Sequence, residues 1–150
     1  MRDDKFPLMT IFGRTLHFIS IEFEQELKKH KVGITTGEFV VLYRLFTMEE
    51  DTISQQNFAT MLGKHKSVIL RQIDVLEAKK LVARLADPLD RRKNMISLTK
   101  TGVNTLNRVL DIENKLMNLL TNGIPGADLE TLKQTALKIQ ENALSIRKKK

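Results

Sequence analysis

Leu8, Phe12, Leu16, Ile19, Phe23 and Leu27 recur every three or four residues, and this spacing predicts one long amphipathic helix over about residues 8–31. Lys28, Lys29, His30 and Lys31 gather in its last turn, where cations complement the helix dipole, and Gly33 is placed to close it. Thr35-Thr36-Gly37-Glu38 has the form of a capping box, with Ile34 and Phe39 set around it as a hydrophobic staple. The helix it opens runs through Val41, Leu42 and Leu45 to about Met48 and ends in the polar cluster Glu49-Glu50-Asp51. Ser54 is the cap of a short helix over Gln55–Leu62, whose inward residues are Phe58, Ala59 and Leu62. Gly63 breaks it, and a second short helix follows at about 65–79 on the stripe Ile69, Ile73 and Leu76.

A helix, a tight glycine turn and another helix make a helix-turn-helix. Residues 81–86 and 95–98 then read as two strands, and the Pro- and Asp-bearing segment between them, 87–94, as their turn. Arg91, Arg92 and Lys93 have no use in a core, which places them at a hairpin tip. A hairpin directly after a helix-turn-helix is a winged helix. Thr99 caps a further long helix to about Thr121 on Val103, Leu106, Val109, Leu110, Leu116, Met117 and Leu120, and Asn122-Gly123 stops it. A last helix begins near Pro125 or Asp128 and uses Leu129, Leu132, Ala136, Ile139, Ala143 and Ile146.

The predicted fold class is therefore mainly α: a winged helix-turn-helix with a short β-hairpin wing. Its N- and C-terminal helices carry more apolar positions than one small winged helix can cover, which predicts pairing with a second copy of the chain. The expected organisation is one protomer, 1–150, with a winged helix-turn-helix part at 34–100 and a helical dimerisation part at 1–32 and 103–150.

Charge sharpens this picture once it is divided along the chain. The net +7 is uneven: residues 1–63 carry 7 Lys/Arg against 9 Asp/Glu, whereas 64–100 carry 10 against 4. A basic block of that kind can neutralise phosphates, although it can equally form a solvated face. The chain has no cysteine, which removes disulfides, thiolate chemistry and cysteine-ligated zinc. No stretch approaches the ~18 uninterrupted apolar residues of a membrane span, and the N-terminal residues form no signal-peptide pattern; the expected location is cytoplasmic. His17, His30 and His65 fall in different predicted elements without paired carboxylate spacing, and His17 reads as a partly buried structural side chain. With no H-E-x-x-H, P-loop or nucleophile elbow in the sequence, the expectation is no enzyme, no metal and no cofactor.

The segment Asp90-Arg91-Arg92-Lys93-Asn94-Met95-Ile96-Ser97-Leu98-Thr99-Lys100-Thr101-Gly102 resembles the wing pattern D-x-R-x5-L-T-x-x-G of the MarR (multiple antibiotic resistance regulator) family. Asp87-Pro88 upstream, Gly33-Ile34-Thr35 before the second helix, and Leu62 to Ser67 followed by Arg71 and Ile73-Asp74-Val75-Leu76-Glu77 are similar to the corresponding family segments. The resemblance covers almost the whole chain. It implies a dimeric DNA-binding transcriptional regulator, repressor or activator, often relieved by a small anionic or phenolic effector; the expected form is a homodimeric repressor, whose two-fold symmetry calls for a palindromic double-stranded operator. It places Arg92 in the minor groove, held by Asp90.

From the residues themselves, Lys64, His65, Lys66, Ser67, Val68 and Arg71 lie near the start of the helix at 65–79 or off its apolar stripe. Arg71 suits a guanine, Ser67 a phosphate or base, Val68 a thymine methyl, and Lys64 and Lys66 phosphates. Gln55 and its neighbour Gln56 fit phosphate contact or plain helix surface equally. With Arg91, Arg92 and Lys93 at the wing, 87–94, and Asp90 as clamp or simple turn residue, these form the expected DNA-binding set. The competing reading is a winged helix that binds protein and not DNA, which has no use for three cations at a hairpin tip. Two departures from the family pattern stand out: Lys80 where glycine is usual, and Val68 and Leu70 where polar residues are usual.

Overall fold

The computed structural model describes residues 6–49, 52–63, 65–86 and 94–148. Among them are six helices and three strands, in the order α1 (Leu8–Lys29), α2 (Thr36–Phe46), β1 (Ile53–Ser54), α3 (Gln55–Leu62), α4 (Lys66–Ala78), β2 (Val82–Ala86), β3 (Asn94–Leu98), α5 (Lys100–Leu120) and α6 (Gly126–Lys148). This is a winged helix-turn-helix with helices at both ends, as the periodicity predicts. The described residues fall into two compact units, one up to Leu116 and one over Met117–Lys150.

In the first unit, one core joins all the elements. Phe58, Ile69, Ile73, Leu76, Ile96 and Leu106 are fully buried in it, together with Leu27, Val41 and Leu42. The capping box forms: the Glu38 amide donates to Thr35 Oγ1 at 3.2 Å, and the Thr35 amide donates to Glu38 Oε2 at 2.7 Å. Ile34 is buried beside it, and the Phe39 ring meets the edge of Phe23 with centroids 5.3 Å apart.

The sheet has three strands, not the expected two, in the order β1-β3-β2 with both pairings antiparallel. Ile53 and Ser54 lead extended into the cap of α3 and pair with Ile96 and Met95 on the free edge of β3. Two residues are too short to show a period of two, so no pattern in the sequence announces them.

Helix ends depart from expectation in one place. α1 closes on Lys31 in the left-handed conformation (φ +51°), with Val32 N donating to Leu27 O and Lys31 N to Lys28 O; Gly33 lies beyond this closure. α4 closes the same way on Lys80 (φ +60°), with Leu81 N donating to Leu76 O and Lys80 N to Glu77 O. A Cβ at such a position costs on the order of 1 kcal/mol. Lys80→Gly is therefore expected to stabilise the protein by about 1 kcal/mol, raising Tm by roughly 2–4 °C in a thermal melt. An equal or lower Tm would show that the lysine side chain offsets the backbone strain.

The start of α5 rests on the end of α4. Thr99 Oγ1 accepts from the Gly102 amide at 2.9 Å and donates to Lys80 O at 2.8 Å, while the Thr99 amide donates to Leu81 O at 3.1 Å. Gly102 passes so close to the residue before β2 that a Cβ built on it would lie 2.0 Å from Leu81 O. The T-x-x-G of the sequence motif is thus the clasp between α5 and the root of the hairpin.

The apolar face expected along α1 is only half used within one chain. Phe23 and Leu27 are buried, but Leu8, Phe12, Leu16 and Phe18 are exposed, as is His17, which the sequence led us to expect partly buried. In the second unit, α6 follows Pro125, and its apolar residues Leu132, Leu137, Ile139, Leu144 and Ile146 are all exposed.

Candidate nucleic-acid interface

α3 ends on Gly63 in the left-handed conformation (φ +60°), which turns the chain directly into α4. α4 buries Ile69, Ile73 and Leu76, so its opposite face is turned outward. That outward face carries His65, Lys66, Ser67, Val68 and Arg71, all exposed, with Val68 at 47%. Ser67, Val68 and Arg71 lie three and four residues apart and share one side of the helix. His65 stands at the N-cap without a side-chain capping bond. A guanidinium, a hydroxyl and a branched aliphatic group on one open helix face are the side-chain types that read base edges in a major groove. Leu70, which the sequence places among these, is instead half-buried.

Two ion-pair clusters hold α4 in place, and the sequence reading assigned neither. At its C-terminal end, Lys79 Nζ donates to Glu38 Oε1 at 2.7 Å and Oε2 at 2.9 Å. Glu38 is buried at 5% exposure, so the same carboxylate caps α2 and ties it to α4. A buried carboxylate is tolerated only when paired and hydrogen-bonded, and here both conditions are met. Nearby, the Thr36 amide donates to Glu24 Oε1 at 2.7 Å, which joins α1 to the start of α2.

The second cluster centres on Arg84 of β2. Its guanidinium donates to Asp74 and Glu77 of α4, and its amide donates to Glu77 Oε1 at 3.3 Å. With its amide turned so that oxygen and nitrogen exchange places, Gln55, the first residue of α3, accepts from the same guanidinium through its side-chain oxygen. Burial works against the Arg84 charge, but the hydrogen bonds to Asp74 and Glu77 outweigh it and hold its pKa above the usual guanidinium value. Arg84 pairs with Ile96 across the sheet and shares a face with Val82, which is buried. An arginine on an inward-facing strand position is the sequence signal that a carboxylate partner waits beneath it.

The predicted site residues therefore separate. His65, Lys66, Ser67, Val68 and Arg71 come together on one open face, and Gln55 is half-buried against Arg84. Lys64, Asp90, Arg91, Arg92 and Lys93 lie outside the described residues, as does the predicted tip of the wing apart from Asn94. Among the described residues no group of three or more His, Cys, Asp or Glu could hold a metal ion. No described helix is long and apolar enough to cross a membrane.

Residues 34–93, which include α2 to α4 and β2, match the model of the MarR family. Over this segment the chain is similar to MarR-family domains. Solved structures extend the likeness beyond it. A crystal structure of MarR superposes with a TM-score of 0.87 at 22% identity, covering 100% of this chain and 99% of that one. The transcriptional repressor CouR bound to a 23-mer DNA duplex is similar at a TM-score of 0.80 and 24% identity, covering 89% of this chain and 92% of that one. The S. aureus MepR–DNA complex is similar at 0.77 and 22%, covering 92% and 99%. The MarR fold thus extends along the whole chain, including the end helices outside the matched segment.

Proposed function

We propose that this protein is a DNA-binding transcriptional regulator: a homodimeric repressor that reads a palindromic operator through α4 and the wing at 87–94, and is released by a small-molecule effector. The observation that carries the reading is the open face of α4, where Ser67, Val68 and Arg71 stand together opposite a fully buried stripe. Its setting, a segment similar to MarR-family domains in a chain similar in fold to proteins solved on DNA, supports it.

In this reading Arg71 takes a guanine through O6 and N7, Val68 meets a thymine methyl, and Ser67 bonds a base or phosphate. Lys64, His65 and Lys66 contact phosphates and fix the register of the helix. Arg92, clamped by Asp90, enters the minor groove, and Arg91 and Lys93 lie along the adjacent backbone. Pairing of two chains is supported by the apolar side chains that α1 and α6 leave exposed, among them Leu8, Phe12, Leu16, Leu132, Ile139 and Ile146. In a two-fold dimer the two α4 helices stand about 34–36 Å apart, so the operator is an inverted repeat with half-sites about 10 bp between centres.

Selection from random DNA, followed by competition binding on a panel of site variants, tests this. Arg71→Ala is expected to cost about 1–3 kcal/mol and to relax preference at one position in each half-site, whereas Lys66→Ala weakens all sequences alike. A selection that returns no inverted repeat, or an Arg71→Ala protein whose losses are uniform across the panel, would remove α4 from its reading role.

A further inference from the structure

We propose that Arg84 is a positioning residue for DNA binding: by holding Asp74 it keeps that carboxylate off Arg71 and leaves the Arg71 guanidinium available to a base. The inference rests on the DNA-binding reading above. Asp74 follows Arg71 by three residues on α4, both side chains are exposed, and opposite charges at that spacing are neighbours on a helix surface. Asp74 nevertheless bonds to Arg84, and among the described residues no carboxylate pairs with Arg71.

The reason lies in how the two arginines are held. Arg84 sits on a strand paired to β3, its side chain is only 20% exposed, and its fork is engaged at once by Asp74, Glu77 and Gln55. The paired strand, Glu77 and Gln55 already orient its guanidinium, so little further freedom is lost when Asp74 joins. Arg71 projects from an open helix face and would have to give up its rotamers to pair. Removing the Arg84 charge leaves two carboxylates on α4 without their cation, and the cation three residues before Asp74 is Arg71.

The test uses the full chain and DNA selected with the wild-type protein. Arg84→Met is expected to lower affinity about tenfold and to flatten selectivity at the base pair read by Arg71, the size of effect that follows from losing a base-reading arginine. Adding Asp74→Asn to that protein should restore affinity to within about threefold, while Asp74→Asn alone changes little. An Arg84→Met protein that binds as tightly as wild type, or a loss that Asp74→Asn does not repair, would overturn the proposal and leave Arg84 as packing only. Should Arg84→Met fail to fold, Arg84→Gln removes the same charge and keeps a donor for Glu77. A DNA-free crystal structure of the folded variant separates this inference from the function it rests on. Asp74 drawn onto Arg71 shows that Arg84 keeps the two apart, whether or not wild type selects DNA, and Asp74 left in solvent refutes the proposal.

Discussion

DNA affinity is expected to fall by about 10³–10⁵-fold as salt rises from about 50 to about 200 mM. The segment 64–100 carries 10 Lys/Arg against 4 Asp/Glu, but not every cation there is free to meet a phosphate. Lys79 is committed to Glu38, and Arg84 to Asp74 and Glu77. Lys66, Arg71, Lys80 and Lys100 remain exposed among the described residues of that segment. With the cations at 64 and 91–93, two chains supply enough positive charge for about 6–10 phosphate contacts, and each contact releases condensed counterions on binding. An anisotropy titration across that salt range measures the slope. A flat response would mean that the basic block is a solvated face, and the DNA-binding reading would fall with it.

Gly102→Ala is expected to destabilise the protein strongly for a single added methyl, costing about 3 kcal/mol. The new Cβ would lie 2.0 Å from Leu81 O and 3.1 Å from Leu98 Cδ1. A backbone carbonyl cannot rotate away as a flexible side chain can, so α5 must lift from the root of the hairpin. That movement strains the bonds from Thr99 to Lys80 O and Leu81 O as well as the cap that Thr99 places on Gly102. The better helix propensity of alanine returns only about 1 kcal/mol of this. Thermal melts should show Tm lowered by roughly 4–8 °C. Gly126→Ala, where a Cβ meets nothing within 4 Å, serves as the control and should leave Tm nearly unchanged. If the two variants melt alike, the close approach at Gly102 is not a constraint on the fold.

Much of the candidate interface was legible before folding. The apolar stripe Ile69, Ile73 and Leu76 assigns the buried side of α4, and so assigns Ser67, Val68 and Arg71 to the open side. The part that was not legible is what holds that face still. Arg84 counted simply as one more cation in a basic block, and Asp74 and Glu77 as two of its four carboxylates, because no local pattern says that β2 returns across α4. Gln55, which fitted phosphate contact or plain helix surface equally, stands against Arg84 for the same reason.

The sequence by itself determined what neighbours within about four residues decide. The long helices follow from apolar spacing, the start of α2 from Thr35 and Glu38, the start of α3 from Ser54, and the turn into α4 from Gly63. These are local because a helix closes its hydrogen bonds four residues away and a cap acts within three. Only the tertiary structure decided the contacts between positions that the chain brings together from afar. Glu38 meets Lys79 across 41 residues, and Thr99 meets Lys80 across 19. Ile53 finds the edge of β3, and Gly102 finds Leu81. Their energies depend on burial and on the path of the whole chain, and neither exists until the core has closed. Whether an exposed apolar residue such as Leu16 or Ile139 is surplus was decided there too, since its helical spacing is the same whether or not a partner covers it.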